Sequence, residues 1–158
     1  MRRSLWSLSA FVAVLATTLL LWRPGAETPA QRAGVPARSA DAGDSRQVAR
    51  GEIVYREQCA VCHGVKLEGQ PSWRARKPDG RLPAPPHDAT GHTWHHPDAQ
   101  LFALTKQGVV PPLAPEGYES DMPGFAASLS DGEIWDVLAY IKSRWPAEIL
   151  ARQEGLGR

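Results

Sequence analysis

The chain has 158 residues, 42% of them hydrophobic and 22% charged, with a formal net charge of +1. That length accommodates one domain with appendages, and the near-neutral balance excludes the basic footprint of a nucleic-acid binder.

The first 23 residues do not read as part of a globular core. Arg2 and Arg3 form a positive start, and Leu5 to Trp22 is an uncharged run of eighteen residues. As a helix that run spans roughly 27 Å at about 1.5 Å per residue, close to the thickness of a hydrocarbon core. A cleaved signal carries a shorter apolar region, about 7–15 residues, and a small-residue cleavage site. No good A-x-A site follows Trp22, and Trp6 and Trp22 suit interfacial anchoring. The pattern favours a retained signal anchor at residues 1–23 over a cleaved signal peptide. Its arginines keep the N-terminus cytoplasmic, so the rest of the chain is expected on the periplasmic side of a bacterial inner membrane. Without residues 1–23, three arginines and no acids are removed, leaving 15 basic against 17 acidic residues, or −2.

Residues 24–45 are Ala, Gly, Pro and polar residues, with Val35 the only larger apolar side chain. Such a segment cannot bury enough surface to fold. As a flexible tether its 22 residues would span roughly 25 Å root-mean-square.

From Ser45 the pattern changes, and residues 46–146 read as one domain. "SRQVARGEIVYREQC" predicts a short helix capped by Ser45, with Val48, Gly51, Tyr55 and Cys59 at helical spacing. Gly51 costs such a helix about 1 kcal/mol against Ala, which another helix crossing closely at that point would explain.

At the end of this helix stands "CAVCH", with the chain's only two cysteines, Cys59 and Cys62, followed by His63. A disulfide-exchange dithiol needs C-x-x-C but not the histidine. Zinc needs four ligands in a closed site, and this motif supplies three. C-x-x-C-H is also the attachment signature of haem c, with two thioether bonds and the histidine as axial iron ligand. In an oxidising compartment two free thiols tend to pair, whereas thioether bonds would consume both.

The following stretch, Gln70 to Trp94, is long and Pro-rich, and it contains "RARKPDGR". "GHTWHHPD" then gathers His92, His95 and His96, and His87 lies a few residues earlier. These histidines are candidates for a separate metal site or a second axial ligand, set against ordinary hydrogen-bonded or solvent-facing roles. Trp94 reads as a packing residue with its N–H available to a haem propionate. Pro97 to Gln107 predicts a helix with Pro97 in its first turn, Gly108 as its stop, and Leu101 and Leu104 on its buried side.

If His63 takes one axial position, the opposite one has few candidates. The chain has two methionines, Met1 and Met122, and only Met122 lies in the exported part. It sits in the Pro/Gly loop "ESDMPGF", an unusual place for the core filling that methionine commonly performs. "SLSDGEIWDVLAYIKSRWP" predicts a last helix with a Ser130/Glu133 capping box. Its apolar stripe is Ile134, Val137, Leu138, Ile141 and Trp145, and Pro146 ends it. Residues 147–158 read as a C-terminal tail. Some 35 residues are firmly helical, a thin core for roughly 100 residues that a buried porphyrin would fill.

The combination of Gly51 and Tyr55, "CAVCHG" at 59–64, "DMPGF" at 121–125 and "LSDGEIWDVLAYIKSRWP" at 129–146 resembles the class I c-type cytochromes. The resemblance covers about 100 residues and implies an all-α cytochrome c fold, three to five short helices around one covalently held haem c. It further implies thioethers on Cys59 and Cys62, His63 as proximal and Met122 as distal ligand, and Tyr140 packed where the terminal helices cross at Gly51. A proline carbonyl, from Pro85 or Pro86, would accept the His63 Nδ1–H. The long Gln70–Trp94 loop departs from the family pattern.

Two strong-field ligands leave no open coordination position, so the expected function is one-electron transfer rather than catalysis. Expected partners are a quinol-oxidising complex or dehydrogenase as donor and a terminal oxidase as acceptor. Two other classes stay open: a haem-based sensor with a labile Met122, and a metal-handling haem protein using the His-rich segment.

Overall fold

The computed structural model describes residues 39–157. The expected membrane segment at 1–23 and most of the tether lie outside the described residues. Among the described residues there are helices and turns but no strand, and no helix is long and apolar enough to cross a membrane.

Helix α1 spans Ser45–Val54. Its cap is Asp44 rather than Ser45: the carboxylate accepts from the backbone N–H of Arg46 at 2.9 Å and of Gln47 at 3.2 Å. A carboxylate satisfies two orphan amide donors and complements the positive helix end, which a hydroxyl does less well. The end of the tether is folded onto this helix. Gln47, 1% exposed, accepts from the Asp41 N–H and donates to the Ser39 carbonyl, each at 2.9 Å, and Ala40 is buried beside it.

The predicted helix does not run uniformly to Cys59. Residues Tyr55–Cys59 form a π-helical turn, and α2 resumes over Ala60–His63. One extra residue in that turn rotates the following residues about the axis. Gly64 ends α2 with φ +79°, a conformation that favours glycine.

Helix α3 spans Asp98–Gln107, with Pro97 one position before its first turn, and Gly108 ends it at φ +86°. Helix α4, Asp131–Ser143, opens with the expected capping box: Ser130 Oγ accepts from the Glu133 N–H, and the Glu133 carboxylate accepts from the Ser130 N–H. Ile134, Val137, Leu138, Ile141 and Trp145 are all buried. Beyond Pro146 the chain turns helical again as α5, Ala147–Glu154. Proline disfavours helix in the residue before it but is well suited to start the next one. Gln153 is 1% exposed, and its amide donates to the Asp98 carboxylate at 2.6 Å and the His96 carbonyl at 3.1 Å.

Helices α1 and α4 pack against each other most extensively. A Cβ on Gly51 would lie 1.9 Å from the Asp136 carbonyl oxygen and 3.0 Å from the Tyr140 Cβ. The two backbones therefore meet where only hydrogen fits, and the glycine's propensity cost has its reason. Asp136 holds the same crossing from its side chain, accepting from Arg50 Nε at 2.7 Å and Nη2 at 2.9 Å. A two-pronged guanidinium–carboxylate contact fixes register as well as proximity.

A buried ion pair joins α3 to α4. Lys142, whose side chain is 3% exposed, donates to both oxygens of Asp98 at 2.8 and 3.0 Å.

Two stability outcomes follow from these contacts. Gly51→Ala must separate two helix backbones, and is expected to cost 3 kcal/mol or more, at about the upper end of overpacking substitutions. Thermal unfolding of the haem-loaded protein should show a large Tm drop, and an unchanged Tm would remove the crossing from this account. Asp98→Ala strands the Lys142 ammonium in the interior and should cost about 3–5 kcal/mol. Lys142→Met combined with Asp98→Leu should recover much of that loss in urea unfolding, because no unpaired charge remains.

Candidate haem site

The π-helical turn and α2 place Cys59 half-buried, Cys62 exposed and His63 buried at 6% exposure. Cys59 and Cys62 are not joined to each other in a disulfide. Burial, with a smaller contribution from Cys62, pushes the Cys59 thiol up to about 12.

The His63 ring is oriented by the backbone. Its Nδ1 lies 2.9 Å from the carbonyl oxygen of Pro85, which decides between the two proline candidates. A carbonyl only accepts, so Nδ1 carries the proton and Nε2 presents a lone pair. Burial lowers the pKa of His63, with the Pro85 bond acting in the opposite direction, and the ring is held neutral, as a metal ligand must be. Tyr55, fully buried, donates from its hydroxyl to the Gly64 carbonyl at 2.9 Å and ties the exit of α2 to the end of α1. Burial raises its pKa, which keeps this donor protonated.

The segment carrying Pro85 is itself tightly folded. A Cβ on Gly91 would lie 1.9 Å from the Pro86 carbonyl oxygen, so the chain from Pro86 to Gly91 loops back onto itself. The indole of Trp145, one residue beyond the cap of α4, donates to the His87 carbonyl at 2.8 Å. His87 lies flat against His63, with ring centroids 3.9 Å apart, and its Nδ1 lies 2.7 Å from Thr93 Oγ1. Burial holds the His87 pKa well below the usual imidazole range, with His63 adding to the effect. Its stacking on His63 was not legible in the sequence, because it depends on the loop's path.

Met122 is half-buried and packs on the same apolar core as Cys59. Its loop is fastened at both ends. Its N–H donates to Ser120 Oγ at 3.1 Å, and the Phe125 and Ala126 N–H groups donate to the last-turn carbonyls of α3 at Thr105 and Lys106, each at 3.0 Å. A Cβ on Gly124 would lie 2.7 Å from the Gln107 carbonyl, which explains the glycine of "DMPGF". Lys77 and Arg81, from the basic part of the long loop, both pair with Asp121. That loop's charge is thus directed at the residue beside Met122. Trp94 packs against the core as expected, and its indole N–H donates to the Ala89 carbonyl at 3.2 Å.

Among the described residues no group of three or more His, Cys, Asp or Glu side chains is arranged to hold a metal ion.

The donor set fits haem c. Two unpaired cysteines flank one turn, and the next residue is a buried imidazole whose backbone bond leaves Nε2 as the free nitrogen. Among the described residues nothing completes a closed four-ligand zinc site.

Replacing Trp145 with Phe removes the donor that joins α4 to the His87 carbonyl. Leaving that acceptor unpaired should cost about 1–3 kcal/mol in urea unfolding of the haem-loaded protein. A loss under 0.5 kcal/mol would mean that water replaces the indole at no cost.

The cytochrome c family model matches residues 48–145. The chain is also similar to thiosulfate dehydrogenase of Stutzerimonas stutzeri (strain A1501), 33% identical over 97 residues, which is 61% of this chain and 27% of that protein. It therefore spans about a quarter of the length of that curated relative. No solved structure matches the chain. The family match runs from the first described helix to the tryptophan that closes the last crossing helix, and the chain belongs to the cytochrome c family, a c-type cytochrome with one covalently bound haem c.

Proposed function

We propose that this c-type cytochrome is a one-electron carrier whose haem is attached through Cys59 and Cys62 and ligated by His63 and Met122. The observation that carries the reading is the buried His63 ring, its Nδ1 fixed on the Pro85 carbonyl so that Nε2 is the ligating atom. The bound haem supplies the Fe(II)/Fe(III) couple. His63, held by a backbone acceptor, keeps one orientation, and the hydrogen bond raises its basicity. Met122 contributes a thioether, a ligand that favours the ferrous state and raises the potential. The bonds from its loop to α3, and the pairing of Asp121 with Lys77 and Arg81, support a distal position that changes little with oxidation state. Leu67, in the segment just after His63, and Pro86, next to Pro85, are both buried.

Residues 1–23 would tether the domain to the outer face of a bacterial inner membrane. There it would shuttle electrons from a quinol-oxidising complex or dehydrogenase to a terminal oxidase. Such encounters are small and short-lived, as turnover requires. The cytochrome c family match and the similarity to part of a thiosulfate dehydrogenase both support a role in electron transfer.

The absorption spectrum of the full chain tests the ligation. The oxidised protein should show the weak red band of methionine sulfur on ferric iron. Met122→Ala should lose that band, and its reduced form should bind carbon monoxide readily. Haem without the band in either protein would put another group opposite His63. Carbonate extraction of membranes tests the tether: an anchored chain stays in the pellet, whereas release of a protein beginning beyond residue 23 returns the signal-peptide reading.

A further inference from the structure

The histidines of "GHTWHHPD" do not behave alike. The chain passes from His92 through a 3-10 turn, Thr93–His95, to His96. Hydrogen bonds from the His95 N–H to the His92 carbonyl and from the His96 N–H to the Thr93 carbonyl close the turn. That turn brings the rings of His92 and His96 together edge to face, with Nε2 of one 3.0 Å from Nε2 of the other. His95 does not join them: its ring lies flat on Trp94, centroids 3.7 Å apart, and the Arg152 guanidinium lies near the same indole.

We propose that His92 and His96 form a two-imidazole site for a divalent transition-metal ion, Cu(II) in preference to the others. Two nitrogens each about 2.0 Å from one ion stand roughly 2.8 Å apart at a right angle and roughly 3.3 Å apart at the tetrahedral angle. The observed 3.0 Å lies between those two values. Cu(II) also heads the affinity order for imidazole nitrogen among the divalent first-row ions.

The surroundings prepare the pair. The Nδ1 of His96 lies 3.2 Å from Gln100 Oε1. An amide oxygen only accepts, so this bond puts the proton on Nδ1 and leaves Nε2 of His96 as a lone pair. The His92 Nε2–H then donates to it; when a metal ion binds, the His92 ring changes tautomer through solvent, its proton passing from Nε2 to Nδ1, so that both rings stay neutral and both Nε2 lone pairs face the ion. The His96 carbonyl is fixed by Gln153 of α5 at 3.1 Å, and Gln100 belongs to the first turn of α3, so ring and support sit on rigid elements. His92 is exposed, which leaves solvent to complete the coordination shell. Partial burial, the neighbouring His96 and His95, and Arg74 all lower the pKa of His92. Arg74 also opposes the charge of the incoming ion, which sets the affinity below that of an enclosed site.

The experiment is a titration of the full, haem-loaded ferric chain with Cu(II) sulfate in a non-coordinating buffer, followed by equilibrium dialysis and electron paramagnetic resonance. Wild type and His95→Ala should each retain one Cu(II) at this site with a tetragonal signal and nitrogen coupling. His92→Ala and His96→Ala should each bind it at least about tenfold more weakly, with the haem spectrum unchanged as evidence of folding. No retention by the wild type overturns the proposal. So does retention undiminished in both single variants, which would put the copper elsewhere on the chain. An equal loss in His95→Ala would overturn the assignment to this pair.

Discussion

The structure depends on one close approach. Helices α1 and α4 come together at Gly51, opposite the Asp136 carbonyl, with no room for a side chain between them. Asp136 acts twice at that point, its backbone oxygen facing Gly51 and its carboxylate gripping Arg50 one residue away. Dispersion and apolar burial fall off steeply with separation, so a contact this short lets Tyr55, Ile134, Val137 and Tyr140 pack at interior density around it. Because α1 leads directly into the cysteine turn, the crossing also sets where Cys59 and His63 stand.

From that frame the residues proposed to bind the haem are positioned by backbone groups more than by one another. His63 is oriented by the Pro85 carbonyl, and the segment bearing Pro85 is pinned by Trp145 through the carbonyl of His87. The link runs from α4 to the imidazole through two hydrogen bonds and a loop that Gly91 folds tightly against Pro86. The same loop continues into the turn that pairs His92 with His96. On the other side, Met122 depends on carbonyls at the end of α3 and on the ion pairs of Asp121. Those ion pairs are solvent-exposed, so their contribution lies in register more than in stability.

The buried polar groups follow the same logic. Lys142, Asp98 and Gln153 satisfy one another between α3, α4 and α5, and Gln47 folds residues 39–41 onto α1. Each such group would be costly alone, and each defines one arrangement of the pieces it joins. A domain with few helical residues and long Pro-rich connections gains from such specificity, because its loops supply little apolar area.

The sequence by itself determined the all-α class, the C-x-x-C-H site at Cys59, Cys62 and His63, the capping box of α4 and its buried stripe. These rest on local spacing and hydrogen bonds within a few residues, which the chain carries wherever it folds. The glycine at 51 was legible as an anomaly, open to simple tolerance or to a helix crossing, and the structure shows the crossing. Tertiary structure alone decided the rest. Pro85 was selected over Pro86 by the loop's path, and Asp44 replaced Ser45 as cap because a carboxylate could reach two amides. A π-helical turn interrupted the first helix, and the segment read as a tail became α5 because Gln153 had buried partners on Asp98 and His96. The stacking of His87 on His63, the pairing of His92 with His96 and the approach of Lys77 and Arg81 to Asp121 also belong here. They join residues through the geometry of irregular loops, and hydrophobic periodicity carries no information about where such loops return.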